Sequence, residues 1–239
     1  MSKQGARFLA IDLGAGSGRG VIGHIHHDRL TLKEVHRFPN NPVQLGNTLY
    51  WDVLRLHQEI KLAIAAAAQE GQVLGLGIDS WGVDFGLLGD GELLSNPVHY
   101  RDNRTDGMME EAFQLMPRER IFAHTGIQFM QLNTIYQLLA MVKSRSRLLD
   151  IADELLLMGE LFTYFLTGER VAEFTNATTT QAYDPTVAKW SDQLLTALGI
   201  PNRLFPEVVQ PGTRVGQLLP TVAAETGAGE LPVYVPAVH

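Results

Sequence analysis

The chain has 239 residues, 45% of them hydrophobic, which is ample for a buried core in one large domain or two small ones. A net charge of −7 without any run of Lys or Arg argues against nucleic acid or an anionic membrane as a partner, and with no cysteine neither a disulfide framework nor a thiolate metal site can form. The longest apolar stretch, 62–68, is too short to span a bilayer, no signal peptide precedes the first strand, and a cytosolic location is expected.

The first element is an apolar strand ending in Ala10-Ile11-Asp12-Leu13, followed by a turn, Gly14-Ala15-Gly16-Ser17-Gly18-Arg19, with glycine at alternate positions. Glycine takes φ > 0 readily and carries no Cβ, so the turn is expected to gather backbone N–H groups around an anion-sized hollow. Ser17 adds a hydroxyl and Arg19 a fixed positive charge. Asp12, at the strand's carboxyl end, is placed to hold Mg²⁺ directly or through its waters. A Rossmann or Walker A turn would open a helix here. Instead β-branched, alternating stretches follow over 20–27 and 30–38, with a second hairpin turn near Asp28. Taken alone, a glycine-rich hairpin is also compatible with no ligand. His24 and His26 share a strand face, but no third metal ligand has suitable spacing, so they read as exposed strand residues.

Next come a helix over 51–69, a buried strand over 73–78 and another over 83–88 that turns at Gly89-Asp90-Gly91. From Arg104 the texture becomes helical, with helices expected over 106–114, 118–124, 134–143, 147–154 and 159–166, then 190–198. No linker rich in Pro, Gly or Ser divides this region off, so about 104–200 reads as a helical insertion on an α/β core. The last element is an apolar strand over 231–238. A chain that stops at His239, at the end of such a strand, is expected to be the N-terminal portion of a longer protein.

Three further segments carry polar chemistry. In Gly77-Ile78-Asp79-Ser80-Trp81-Gly82-Val83-Asp84-Phe85 a buried strand meets a tight connection. Asp79 and Asp84 offer acceptors for sugar hydroxyls, Trp81 a flat apolar face for a sugar ring, and Gly82 a backbone that a ligand can approach closely. The other reading makes Trp81 plain core and Asp79 a turn cap. In Val98-His99-Tyr100-Arg101-Asp102-Asn103-Arg104-Thr105, Asp102 suits an N-cap. The run Phe174-Thr175-Asn176-Ala177-Thr178-Thr179-Thr180-Gln181 is expected to lie outside a helix interior.

Taken in order, D-L-G-A-G-S-G-R, G-I-D-S-W-G-V-D-F, Y-R-D-N-R-T, T-G-I-Q-F with N-T-I-Y-Q-L, and E-F-T-N-A-T-T-T-Q resemble the FGGY carbohydrate kinases, from about Phe8 to His239. The D-S-W-G-V-D-F and N-T-I-Y-Q-L wording is closest to a branch of that family that phosphorylates L-rhamnulose at O1; a branch acting on another deoxyketose, such as L-fuculose, is the alternative within the class. A non-catalytic sugar- or nucleotide-sensing protein on the same fold is the alternative outside it. The resemblance implies an α/β, actin-like (RNase H-like) ATPase lobe with a helical insertion, whose partners are a small ketose, Mg-ATP and a C-terminal adenosine-binding lobe beyond residue 239. It implies ATP phosphate contacts at Ala15, Gly16, Ser17, Gly18 and Arg19, an Mg²⁺-associated carboxylate at Asp12, and sugar contacts at Gly82 and His239, beside the Asp79 and Trp81 read from the residues. It also implies that the catalytic base immediately follows His239, so that these 239 residues alone are expected to be inactive.

Overall fold

The computed structural model of the chain describes residues 5–239. Strands β1 (Ala6–Leu13), β2 (Ser17–His26) and β3 (Arg29–Pro39) run antiparallel, as the short turns between them, 14–16 and 27–28, require. A small hairpin of β4 (Val43–Leu45) and β5 (Thr48–Tyr50) leads to α1 (Val53–Gln69). This helix starts two residues later than expected, because the Asp52 carboxylate accepts the Arg55 N–H at 3.2 Å and caps it. Val53, Leu56, Ile60, Ala63, Ile64 and Ala67 form its buried face. β6 (Leu76–Ser80) then enters beside β1 in parallel, with Asp79 opposite Asp12. It lies three residues further along at its start than the pattern suggested, and so takes in Asp79 and Ser80.

A second layer follows. β7 (Phe85–Gly89) pairs with β8 (Glu92–Leu93), and α2 (Met108–Leu115), α3 (Arg118–Thr125), α4 (Thr134–Lys143) and α5 (Arg147–Ile151) come after it. The helix expected over 147–154 ends at Ile151; Glu154–Leu157 is a strand, β9, that pairs antiparallel with β7. A second hydrophobic core gathers Phe85, Leu87, Tyr136, Leu139, Leu155 and Leu157.

α6 (Met158–Thr167) returns to the first core through Leu161, Phe162 and Leu166. β10 (Ala172–Glu173) leads directly into α7 (Phe174–Thr179). This corrects the expectation for 174–181: the Thr-rich run does form a helix, because Glu173 accepts the N–H groups of Thr175 and Asn176 and caps it. β11 (Tyr183–Asp184), β12 (Lys189–Trp190), α8 (Asp192–Leu198) and β13 (Val208–Val209) precede β14 (Arg214–Gln217), α9 (Pro220–Thr226) and β15 (Pro232–Tyr234). The strand expected over 231–238 is thus only three residues long.

The main sheet has the order β14-β15-β6-β1-β2-β3, and its middle strands β15, β6 and β1 are parallel. Three carboxyl ends therefore lie side by side along one sheet edge, the place where open α/β sheets present their ligands. α1, α6 and α9 cover the face carrying Ile11 and Ile78, while Phe8, Ile25, Leu30 and Leu32 on the other face are exposed. Among the described residues no helix is long and apolar enough to cross a membrane.

Candidate active site

The β1–β2 turn occupies the first of the three carboxyl ends. It is closed by the Gly14 N–H donating to the Ser17 carbonyl at 2.9 Å. Buried Asn40, which sequence reasoning missed, braces it from β3's end: its side-chain amide donates to the Gly14 carbonyl at 2.9 Å and its backbone N–H to the Gly16 carbonyl at 3.2 Å. Gly14, Gly16 and Gly18 do not have left-handed φ, so the hollow is not built from the backbone conformation expected of them. Gly18 and Gly20 are required for space instead. A Cβ at Gly18 would run into the Phe38 ring, and one at Gly20 would stand 2.7 Å from the Ala63 Cβ of α1. At exposed Gly16 a Cβ would meet nothing within 4 Å, so the outer side of the turn is open.

Across the β1–β2 ladder Asp12 faces Arg19. The Arg19 guanidinium donates to Asp12 Oδ2 from Nε at 2.7 Å and from a terminal nitrogen at 2.6 Å, a two-point ion pair at the mouth of the turn. Asp79 stands beside Asp12 on the neighbouring strand, half-buried. Burial, reinforced by the Asp12 charge, pushes the Asp79 carboxyl up to about 6. Two carboxylates on adjacent strands are the hard oxygen donors that Mg²⁺ takes, but Asp12 Oδ2 is given to the Arg19 guanidinium, so a cation fits here only with Arg19 turned away.

The β6–β7 connection forms the second part. Trp81 is 8% exposed, with its ring centroid 4.0 Å from that of Trp51 and its indole N–H given to Asp84 at 3.1 Å. One face of the expected sugar platform is therefore filled by Trp51, and the ring is largely core. Asp84 is also corrected. It is fully buried and its Oδ2 accepts the indole N–H of Trp51 at 2.6 Å and the Tyr100 N–H at 3.1 Å, while its Oδ1 accepts the Gln137 amide at 2.9 Å. Burial pushes its carboxyl up to about 6 against the pull of these donors. Fully buried and holding four donors, Asp84 is an internal hub with no surface open to a sugar.

Gly82 is buried against α7, where a Cβ would stand 2.9 Å from Thr179 Oγ1 and 3.0 Å from its Cγ2. The next residue, Val83, has φ +69°, a conformation that a β-branched side chain takes only when its surroundings impose it. Those surroundings are visible: its N–H donates to Thr179 Oγ1 at 3.2 Å, and its carbonyl accepts the Thr134 hydroxyl at 2.6 Å and the Gln137 amide at 3.3 Å. Asp102 caps a short turn as expected, accepting the Arg104 N–H at 2.9 Å, and its other oxygen takes the Leu49 N–H at 2.8 Å.

The third carboxyl end is the segment after β15. It keeps one link to β6, the Ser80 N–H donating to the Val238 carbonyl at 3.3 Å, and ends at exposed His239. The sheet thus brings Asp12, Asp79, Gly82 and His239 to one edge, with Arg19 reaching Asp12 from β2. Behind this edge are Glu160 and Glu173, both buried and both missed by sequence reasoning. A lone acidic residue within each of the apolar stretches around 158–166 and 171–174 was the available signal.

A family model described as FGGY family of carbohydrate kinases, N-terminal domain, matches residues 7–238. Over 233 residues the chain is 42% identical to Rhamnulokinase of Oceanobacillus iheyensis, covering 97% of this chain and 49% of that protein. Over 234 residues it is 38% identical to Rhamnulokinase of Bacteroides thetaiotaomicron, covering 97% and 48%. Its structure is similar to those of a gluconate kinase and a ligand-bound xylulose kinase, both from Lactobacillus acidophilus. The TM-scores are 0.86 and 0.85 at 20% identity, each covering 97% of this chain and 48% of the other. The likeness shows a shared fold, the α/β actin-like lobe. The chain spans about half the length of the curated relatives it matches.

Proposed function

We propose that this chain, which belongs to the FGGY family of carbohydrate kinases, forms the phosphate- and sugar-facing lobe of a cytosolic, ATP-dependent ketose kinase that phosphorylates L-rhamnulose at O1. The observation that carries this reading is the single sheet edge on which the Asp12–Arg19 pair, the open Gly14–Gly16 turn, Asp79 and His239 converge. The choice of sugar leans on the two relatives named rhamnulokinase.

In this reading Ala15, Gly16, Ser17, Gly18 and Arg19 receive the ATP phosphates on the open side of the turn. Asp12 holds Mg²⁺, which when bound with ATP offsets charge on the phosphate oxygens. For that, Arg19 must turn from Asp12 towards the phosphates, and its guanidinium then stabilises charge on the transferred group. Asp79, the backbone at Gly82 and the His239 side chain face the sugar, with the edge of Trp81 as its floor. The residue joined to His239 in the full-length protein takes the proton from the attacking hydroxyl, and a second lobe holds the adenosine. Most of the rate then comes from holding two substrates in line, a contribution of about 7–11 kcal/mol at best.

The test is a panel of ketoses, including L-rhamnulose, L-fuculose and D-xylulose, presented to the full-length protein with Mg-ATP. Phosphorylation of L-rhamnulose with the highest kcat/KM is expected; no turnover of any ketose, or a higher kcat/KM for another, overturns the reading. Asp12→Asn should lower kcat by about 10²–10³ with sugar affinity nearly unchanged, since it removes one electrostatic partner of the transition state. Wild-type turnover by that variant in saturating Mg-ATP would make Asp12 a strand-end structural residue.

A further inference from the structure

β15 leaves its ladder with β6 at Tyr234 and its last ties beside β14 are at Val235, whose N–H donates to the Thr213 carbonyl at 3.0 Å, so the sheet does not by itself set the course of the last four residues. The Ser80–Val238 bond fixes one carbonyl only. The N–H groups are held from elsewhere. Val238 N–H donates to Glu173 Oε2 at 3.2 Å and to Thr175 Oγ1 at 3.1 Å, and His239 N–H donates to Thr175 Oγ1 at 3.3 Å. α6 is shaped for the same segment: a Cβ at Gly159 would stand 2.8 Å from Val238 Cγ1.

We infer that Glu173 and Thr175 are positioning residues, which hold the backbone of Val238 and His239 and so set where the His239 side chain, and the residue joined to it, meet the sugar. The inference rests on the kinase reading above.

The hold is stiff because its own supports are buried and paired. Glu173 is fully buried and caps α7 through the N–H groups of Thr175 at 2.9 Å and Asn176 at 3.1 Å, and it accepts the Thr175 hydroxyl. Its backbone N–H donates to Glu160 Oε1 at 2.8 Å, and Glu160 Oε2 accepts the Asn176 amide at 2.7 Å. At its other end α7 presents Thr179 to Gly82 and Val83. One six-residue helix therefore grips both stretches that face the sugar. Glu173 has a plain structural duty as the cap of α7. Thr175 takes part in that cap through its N–H and through the hydroxyl proton it gives to Glu173, but the two N–H groups its Oγ1 accepts, from residues 63 and 64 positions away, do nothing for the helix. The acceptor side of the Thr175 hydroxyl is thus the part that separates positioning from capping.

The experiment compares Thr175→Val, which keeps shape and removes the acceptor together with the hydroxyl's bond to Glu173, with Thr175→Ser, which keeps both, in the full-length protein. An error of about 1 Å in a reacting group can cost on the order of 10²-fold. Thr175→Val is accordingly expected to lower kcat by about 10- to 100-fold with the KM for ATP unchanged, and Thr175→Ser to recover most of it. Amide exchange at residues 238–239 should quicken by about tenfold in Thr175→Val, and by more than any quickening in α7 that follows from the lost bond between the Thr175 hydroxyl and Glu173. Wild-type kcat in Thr175→Val, or unchanged exchange at 238–239, overturns the inference; so does a loss of activity that Ser fails to restore. If Thr175→Val does not fold, Thr175→Ala is read in the same way. A wild-type protein that phosphorylates no ketose overturns the kinase reading and with it the positioning role, and the exchange comparison, which needs no activity, still reports whether Thr175 holds the segment.

Discussion

The β1–β2 turn and the β6–β7 connection sit on the same sheet edge and are built in opposite ways. The turn is a local object. Its closing bond spans three residues, its brace is Asn40 at the end of the next strand but one, and its charged pair, Asp12 and Arg19, is substantially exposed. The connection is a global one. Gly82, Val83 and Asp84 are buried and are held by Trp51 before α1, Tyr100 in a loop, Thr134 and Gln137 on α4 and Thr179 on α7. An exposed turn that must admit a large, charged ligand can leave its polar groups to water. A buried connection has no water to fall back on, so its polar groups need fixed partners, and those come from whatever elements the fold brings near.

The largest expected effect breaks that contrast at its centre. Asp84→Ala leaves the indole N–H groups of Trp51 and Trp81, the Tyr100 N–H and the Gln137 amide without their common acceptor in a dry site. A loss of about 3–5 kcal/mol is expected by denaturant unfolding. A variant within 1 kcal/mol of wild type would mean that water or a shifted side chain replaces the carboxylate, and that the connection is not the rigid hub described.

The same contrast decides what the amino-acid sequence reveals. The turn was legible: alternating β-branched residues on both sides of the glycines give β1 and β2, and the register then puts Arg19 opposite Asp12. Asn40 was not, since nothing local marks an asparagine that bonds to residues 26 positions back. Around the connection, Trp81 read equally well as a sugar platform or as core and Asp84 read as a sugar ligand, and only their partners on distant elements decide. β9 and α7 failed for the same reason. Leu155-Leu156-Leu157 suits a buried strand or a buried helix alike, and pairing with β7 settles it. The threonines of α7 disfavour a helix locally, and a buried glutamate that caps it overrides them.

A pH measurement sharpens the comparison on the buried side. Burial, ahead of the hydrogen bonds that oppose it, pushes the Glu160 carboxyl from 4.5 up to about 7. Between these values the folded chain keeps a proton at Glu160 that the unfolded chain has released, so this group's contribution is full at low pH and is lost as pH rises towards 7. The loss across the window is on the order of 3 kcal/mol. Glu160→Gln keeps the shape, and the buried Oδ1 of Asn176, which has no hydrogen-bond partner among the described residues, can accept from the new amide after a flip. The slope of stability against pH between 4.5 and 7 should therefore be flatter in Glu160→Gln by about 1.4 kcal/mol per pH unit. Asp79 and Asp84 titrate in the same window but in both proteins, so they cancel in the difference. Parallel pH profiles for the two proteins would show that Glu160 is ionised throughout.

The smallest expected effect sets one glycine against another. At Gly82 an added Cβ would stand 2.9 to 3.1 Å from three side-chain atoms of Thr179, whose rotamer is held by its hydroxyl donating to the Asn176 carbonyl at 2.7 Å. Because Thr179 Oγ1 also accepts the Val83 N–H, it cannot swing away without cost. Gly82→Ala should therefore destabilise by about 1–3 kcal/mol, the usual range for overfilling a packed site. Adding Thr179→Ala should recover part of that, appearing as a coupling energy in the double-mutant cycle. At Gly16 the added Cβ meets open space and the backbone needs no left-handed φ, so Gly16→Ala should stay within about 0.5 kcal/mol. The two variants differ again in kinetics. If phosphate approaches the turn on its open side, Gly16→Ala raises the KM for ATP in the full-length protein and leaves the KM for sugar alone. Gly82→Ala moves α7, and with it the support of Val238 and His239, so its effect falls on kcat. Equal stability for the two alanine variants would remove the distinction between a solvent-facing turn and a connection held from all sides.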